Sequence, residues 1–341
     1  MPDSVRIVLD AMGGDNAPGA IVQGGLEAIG DDPNIELILV GREAEVTSAL
    51  GGNVPARVSI VNATEVVEMD DHPAASVRQK KDSSMNVGAR LVADGKADAF
   101  VSAGNSGGIM AAAIFVMKRL PGLERPAIAT SIPSKTGSAI LLDSGANTEV
   151  KPEYMVQWAL LGDAYARRVL HAEKPRVALL SNGEEESKGN ELTVAAHQLL
   201  KAAPINFVGN VEGKAMFDGD VDVVVTDGFT GNVVLKTIEG VASFILAGIR
   251  DAAMASLPGK VGGLLLRPNL QPLRDKADWR KHGGAPLLGV NGVCIIAHGR
   301  SDAEAAKNAV LRGAEAVRAG LVPAMKEALA GQANQSGEGV A

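Results

Sequence analysis

The chain has 341 residues with 40 acidic and 33 basic side chains, and its net charge of −7 argues against general nucleic-acid binding, which needs a basic surface to neutralise phosphates. With 46% hydrophobic and 21% charged residues it has globular composition, enough for one large domain or two modest lobes, and aromatics at only 3% leave the core to Ala, Val, Leu and Ile. The single cysteine, Cys294, excludes an internal disulfide.

The opening residues MPDSVR lack the apolar core of a secretory signal, so a cytoplasmic location is expected. No stretch is expected to span a membrane, because the longest uncharged run, 99–117, is broken by Ser102, Gly104, Asn105, Ser106, Gly107 and Gly108.

Mostly all-apolar, β-branched runs predict strands at 5–10, 35–40, 58–61, 99–102, 127–132, 137–143, 176–180, 205–208, 221–226 and 293–297. Helical patterns fall between most of them, at 20–29, 84–94, 109–120 and 152–170, the last opened by Pro152. A further helix is expected from about 230 to 256, followed by an apolar knot at 257–268 bounded by breakers and cations. Ser301 and Glu304 have capping-box spacing ahead of an Ala-rich helix to about 319. The βαβα order predicts an α/β/α sandwich with a mainly parallel sheet. Residues 1–330 are read as a single domain of two lobes with a helical tip near 250–281, and 331–341 as a disordered tail.

Ligands of open α/β sheets collect beyond the carboxyl ends of strands. Five segments in that position are rich in Gly, Asn, Asp and Ser: DAMGGDNAP at 10–18, SAGNSGG at 102–108, DSGANTE at 143–149, 181–190, and TDGFTGN at 226–232. Glycine lets the backbone approach an anion, Ser and Asn add neutral donors, and the following helix adds free N–H groups, so five such loops at one sheet edge would cradle phosphate. Any one of them alone reads more readily as a turn or helix cap. No G-x-G-x-x-G or P-loop occurs, and neither the five histidines nor Cys294 shows metal-ligand spacing, so no nucleotide, metal or other cofactor is expected. Gly104-Asn-Ser106-Gly-Gly108 matches a nucleophile elbow, which keeps serine hydrolysis open, although no later Asp and His stand out as partners for Ser106.

Together the blocks at 10–18, 78–85 (RQKKDSSM), 102–108, 142–147 (LDSGAN) and 226–232 resemble the bacterial phosphate acyltransferase family over residues 5 to about 320, with Gln79 where a second basic residue is expected. The resemblance implies a fold similar to isocitrate and isopropylmalate dehydrogenases and phosphotransacetylase, with two lobes about a cleft and a homodimer. It implies transfer of a long-chain acyl group from acyl-ACP (acyl carrier protein) to inorganic phosphate, giving acyl phosphate for phospholipid synthesis. It also carries over two catalytic residues: Lys188, to hold phosphate beside the thioester carbonyl, and Asn232, to donate to the tetrahedral oxygen. Phosphate and substrate contacts fall to Asp10, Gly13, Gly14, Asp15, Asn16, Lys80, Lys81, Ser102, Gly104, Asn105, Ser106, Gly107, Asp143, Asn147, Asn182 and Gly231. Asp10, Asp15, Asp82 and Asp143 are expected to orient loops and lysines. The bland readings are a solvated loop lysine for Lys188 and a helix N-cap for Asn232.

Between 260 and 281 six basic residues face two acidic ones, a local excess of +4 on an acidic chain. Arg250, Lys260, Arg267 and Arg274, with Arg280 and Lys281, would suit the acidic carrier protein, and Leu264, Leu265 and Leu266 could enter anionic lipid or a dimer interface. The resemblance favours peripheral attachment to the inner face of the membrane, with product passed to a membrane glycerol-3-phosphate acyltransferase. Two other readings stay open: a phosphotransacetylase-like transferase using acyl-CoA, and a non-enzymatic lipid-surface scaffold.

Overall fold

All-apolar runs become the strands of one 11-stranded sheet in a computed structural model that describes residues 4–337. The strands are β1 (Val5–Asp10), β2 (Ile35–Gly41), β3 (Val58–Asn62), β4 (Ala99–Ser102), β5 (Ala127–Pro133), β6 (Ser138–Leu142), β7 (Val177–Leu180), β8 (Phe207–Val211), β9 (Val223–Val225), β10 (Ala285–Leu288) and β11 (Val293–Ile296). The helices are α1 (Gly19–Asp31), α2 (Glu43–Ala49), α3 (Pro73–Gln79), α4 (Ser84–Ala93), α5 (Ser106–Ala112), α6 (Pro152–Arg168), α7 (Glu191–Lys201), α8 (Ala215–Asp218), α9 (Gly228–Met254), α10 (Leu257–Ala277), α11 (Ala303–Arg318) and α12 (Leu321–Gly337). A π-helical turn, Ala113–Met117, extends α5, and a 3₁₀ turn, Trp279–His282, follows α10.

The strand order is β3-β2-β1-β4-β11-β10-β5-β6-β9-β7-β8. The block β3-β2-β1-β4-β11 is parallel throughout, and so is the block β6-β9-β7-β8. Between them β10 is antiparallel to β11 and to β5, and β5 is antiparallel to β6. Three successive reversals make the second block run opposite to the first, so the sheet is mainly parallel, as expected. The five loops, however, do not share one edge. Only residues 134–137 separate β5 from β6, too few for a parallel crossover, so these strands form a hairpin closed by Ser134 N–H to Gly137 O at 2.9 Å. Loops after β1 and β4 therefore gather at one edge and loops after β6, β7 and β9 at the other.

One core runs along a face of both blocks under α1, α6, α11 and α12, centred on Ile7, Leu37, Trp158 and Val223. Trp158 is fully buried and its indole N–H donates to Arg125 O at 2.8 Å; truncating such a side chain costs about 3–5 kcal/mol. The opposite face is covered by α4 and α5 over the first block, and by α8 with Val234, Leu235 and Ile238 of α9 over the second. Each block carries the same tie between neighbouring strands. Arg6 donates to Asp98 through its backbone and side chain, and Arg176 does so to Asp222.

Several local expectations change. The cap of α11 is Asp302, which accepts from Ala305 N–H, while Ser301 turns its hydroxyl to His298 O. Of the disordered tail expected over 331–341, residues 331–337 are helical and continue α12, and 338–341 lie outside the described residues. The knot at 257–268 is helical: Ser256 caps α10 and Pro258 suits its first turn, while Pro268 and Pro272 sit inside it. Because α9 leaves the globular body and α10 returns to it, the two form a projecting antiparallel hairpin, with Gly263 against Ala253 near its tip. The 27-residue α9 contains an 18-residue window long and apolar enough to cross a membrane by length and composition, with mean hydropathy 1.5 and no buried residue, whereas Gly228 and Gly231 at the start of the helix are buried. This corrects the expectation that no stretch would qualify. Lys236 and Glu239 interrupt the uncharged run, but the Val, Ile, Phe and Leu residues around them keep the average high.

Candidate active site

At the first edge β1 delivers Asp10, buried, with its carboxylate accepting from Ser102 Oγ at 2.7 Å and Met12 N–H at 3.1 Å. Burial raises its pKa above the ordinary carboxylate value, and hydrogen bonds from Ser102, Ser84 and the Met12 and Gly13 amides oppose that rise. Ser102 Oγ in turn accepts from Gly104 N–H, so the loops after β1 and β4 are one unit. Gly13 is required here: a Cβ would lie 2.8 Å from Asp10 Oδ2 and from Gly104 N. Gly14, at φ +101°, passes against Ala103 O and Gly299 O. Asn105 caps α5 by accepting from Gly108 N–H and donates to Met69 O and Asp71 O. Ser106 is exposed, and its hydroxyl meets no histidine or carboxylate among the described residues, as a nucleophile elbow would require.

A third loop belongs to this edge and was passed over in the sequence. Residues 297–301 follow β11, which is parallel to β4, and they lock onto the first loop through Asp15 N–H to Gly299 O at 2.8 Å and Asn16 Nδ2 to Ser301 O at 3.1 Å. His298 and Arg300 both contact Trp279, the former at 5.0 Å between rings and the latter with its guanidinium 4.9 Å from the ring centre. The signal that could have found this loop was its position just beyond a strand; its poverty in Asn and Asp hid it.

At the second edge β6 delivers Asp143, also buried. Its oxygens accept from the backbone N–H groups of Ile128, Gly145, Ala146 and Asn147 and from Asn147 Nδ2. Burial pushes its pKa up, and these donors pull against it. Asn147 O accepts from Gly228 N–H, and Asp227 caps α9 by accepting from Thr230 N–H at 2.8 Å. The helix start sits so close to Asp143 that a Cβ on Gly231 would be 1.9 Å from Asp143 O. Asn232 is therefore not the cap. It is an exposed side chain in the second turn of α9, facing Gly145.

β7 lies beside β9 and runs parallel to it, so loop 181–190 leaves the same edge next to Asn232. Lys188 is exposed with no carboxylate partner among the described residues, and its N–H donates to Glu185 O at 3.0 Å. Its side-chain stem packs over Gly183, where a Cβ would come within 2.9 Å of Lys188 Cγ. Asn190 caps α7, Asn182 is exposed, and the buried Ser181 Oγ has no hydrogen-bond partner among the described residues. Ser181 is a donor that the sequence reading did not single out.

Other expected contacts are placed elsewhere. Lys80 is held by Asp71 at 2.5 Å and Val66 O at 2.8 Å, and so braces its own loop instead of standing free for phosphate. Lys81 is exposed. Asp82 accepts from Thr64, and among the described residues neither it nor Asp10 or Asp143 pairs with a lysine. Lys236 and Glu239 of α9, one and two turns beyond Asn232, are within electrostatic reach of His298, as are Asp15 and Arg300. Desolvation and the neighbouring Arg300 and Lys236 lower the His298 pKa, favouring neutral imidazole at neutral pH. Among the described residues no group of three or more His, Cys, Asp or Glu side chains comes together as metal ligands would.

The second edge can hold an anion against an exposed lysine and an amide, beside the buried Asp143 carboxylate that stiffens the backbone. The fold is shared with a Streptococcus pyogenes phosphotransacetylase (TM-score 0.61, 18% identity, 93% of this chain and 95% of that one). It is also shared with a 4-hydroxythreonine-4-phosphate dehydrogenase from Klebsiella pneumoniae (TM-score 0.54, 14% identity, 92% and 100%). Phosphate acyltransferases from Desulfitobacterium hafniense (49% identity over 327 residues, 95% of this chain and 98% of theirs) and Myxococcus xanthus (51% over 311 residues, 90% and 88%) are much nearer in sequence. The family model described as "Fatty acid synthesis protein" matches residues 5–323. With that match and near-full-length identity of about half, the chain belongs to the phosphate acyltransferase family of fatty acid synthesis enzymes and is an enzyme of that class.

Proposed function

We propose that the acyl donor is long-chain acyl-ACP, that the acceptor is inorganic phosphate, and that Lys188 and Asn232 act at the reacting atoms. The observation that carries this reading is that Lys188, which has no carboxylate partner among the described residues, lies in the loop after β7 and the exposed Asn232 amide lies in the second turn of the helix after β9, two neighbouring parallel strands that end at one sheet edge. An oxygen of hydrogen phosphate attacks the thioester carbonyl carbon, the new C–O bond forms, and the carbonyl oxygen becomes an oxyanion. The C–S bond then breaks with its electron pair going to sulfur, and the proton of hydrogen phosphate ends on the thiol. Lys188 holds the dianion beside the carbonyl, and Asn232 Nδ2 donates to the oxyanion without adding a competing charge. Phosphate is itself the nucleophile, so positioning supplies much of the acceleration and no covalent enzyme intermediate is needed.

The α9–α10 hairpin supports a homodimer with peripheral membrane contact. Phe244, Leu257, Leu264 and Leu265 are each more than two-thirds exposed, which is costly for a surface left facing water. In this reading the length of the hairpin pairs with that of a second copy and its tip, near Leu257 and Val261, meets lipid on the cytoplasmic side. Arg280 and Lys281 are paired with Asp278, Asp302, Glu304 and Asp275, which leaves Arg250, Lys260, Arg267 and Arg274 to receive an acidic carrier. Acyl phosphate formed there would pass to a membrane glycerol-3-phosphate acyltransferase.

The test is acyl-phosphate formation by purified enzyme with palmitoyl-ACP and palmitoyl-CoA compared at equal concentration. A kcat/KM higher for the ACP thioester, lowered selectively by Arg267→Glu with Arg274→Glu, supports the carrier assignment. Equal or better use of the CoA thioester sinks it.

A further inference from the structure

A buried histidine that the reaction above does not use lies under the Lys188 loop. His197, on α7, is 3% exposed, and its Nδ1 is 2.8 Å from Oδ1 of Asn210, on β8, which is 4% exposed. Asn210 Nδ2 donates to Glu185 O at 2.9 Å, and that same carbonyl accepts the N–H of Lys188 at 3.0 Å. The amide orientation settles the proton: because Asn210 gives its NH₂ group to Glu185, its oxygen faces the ring, so Nδ1 carries the hydrogen. His197 Nε2 is left 3.8 Å from Glu186, which is itself paired with Lys201 at 2.8 Å, and Phe207 packs edge-on to the ring at 5.2 Å. The loop's other end is fixed by Asn190 capping the helix that carries His197. A buried amide bonded through both its oxygen and its nitrogen, as Asn210 is, holds its neighbours in one arrangement.

We propose that His197 and Asn210 are positioning residues for catalysis, a two-step hydrogen-bond brace that fixes the Glu185 carbonyl and thereby the backbone turn from which Lys188 reaches phosphate. This inference rests on the phosphate-binding role of Lys188 given above. It explains why a polar pair occupies a fully enclosed site between α7 and β8, where two apolar side chains would pack without the need for matched donors.

The experiment measures steady-state kinetics of acyl-phosphate formation with phosphate varied, for Asn210→Ala, His197→Leu, His197→Asn and Lys188→Ala, and for Asn210→Ala combined with Lys188→Ala. Displacement of a positioned group by a fraction of an ångström to an ångström costs roughly 10–100-fold in rate. Asn210→Ala and His197→Leu are expected to lower kcat/KM for phosphate by about that factor. His197→Asn, whose amide nitrogen can stand where Nδ1 stood, should recover most of the loss. In the Lys188→Ala background Asn210→Ala should add almost nothing, because the side chain it positions is gone. A loss from Asn210→Ala equally large with and without Lys188 overturns the proposal, since a merely structural defect would be additive. Full activity of Asn210→Ala in a protein where Lys188→Ala is inactive also overturns it, while leaving the role of Lys188 intact. Full activity of Lys188→Ala removes that role and the brace's purpose together.

Discussion

Ser102 donates its hydroxyl to the buried Asp10 carboxylate across 2.7 Å, joining the end of β4 to the end of β1 where the glycine loops begin. Asp10 has its pKa raised by burial, so its charged form is tolerated only because hydroxyl and amide donors surround it. A folded-state pKa above the unfolded one means a contribution to stability that is complete at low pH and lost as pH rises through the folded value. Ser102→Ala removes a donor that favours the charged form and should destabilise by about 1–3 kcal/mol at neutral pH. The gap from wild type in urea unfolding should widen as pH rises from below the ordinary carboxylate value of 3.8 to neutrality; a gap constant over that rise would contradict this.

The opposite sign holds for Asp98. Desolvation pushes its pKa up, but the side chain and backbone of Arg6 pull harder, and the net shift is downward from 3.8. Its contribution is therefore present above the unfolded value and lost as pH falls through the folded one. Asp98→Asn is expected to lower stability at pH 7, with the difference from wild type closing below about pH 4. Asp222, in the same relation to Arg176, should behave alike.

Glycine substitutions separate the site from the scaffold. Gly231→Ala would drive a methyl to within 1.9 Å of Asp143 O, so the start of α9 must shift away from the Asp143 loop. Gly30→Ala, in α1 with nothing within 4 Å, should instead stabilise by about 0.5–1 kcal/mol. Thermal unfolding and acyl-phosphate assays are expected to show loss of both properties in the first variant and neither in the second.

The exposed faces of α9 and α10 predict association. Phe244→Asp with Leu265→Asp should shift the mass measured by light scattering toward a single chain or abolish flotation with anionic vesicles, at little cost to monomer folding, since both side chains are exposed. Unchanged mass and unchanged flotation would remove both roles from the hairpin.

Ten of the eleven strands were legible because all-apolar runs such as 5–10 and 99–102 have few other uses, whereas β10, opened by Ala285 and Pro286, was missed, and looking just beyond the strands picked out all but one of the loops described at the two edges. The reversal at β5–β6 was also present in the spacing, but hairpins and crossovers share the same apolar strands and differ only in the few residues between. A helical tip near 250–281 was expected, but the continuous course of α10 through 257–268 was obscured by Pro258, Pro268 and Pro272, which local propensity reads as breakers. Lys80 illustrates a harder limit. A basic residue in a block rich in Arg and Lys looks like an anion ligand until the fold brings Asp71 to it, and that pairing is tertiary. The brace of His197 and Asn210 was invisible for the same reason, since nothing in either residue's neighbours marks them as partners.

The most direct measurement is phosphate-dependent acyl-phosphate formation from a long-chain acyl thioester by wild type, Lys188→Ala, Asn232→Ala and Ser106→Ala. Removing a donor to a developing oxyanion typically costs about 10²–10³-fold in kcat, so Asn232→Ala should fall by that order, Lys188→Ala should lose phosphate dependence, and Ser106→Ala should retain most activity. Near-normal rates in both Lys188→Ala and Asn232→Ala, with loss only in Ser106→Ala and free fatty acid released without phosphate, would contradict the account.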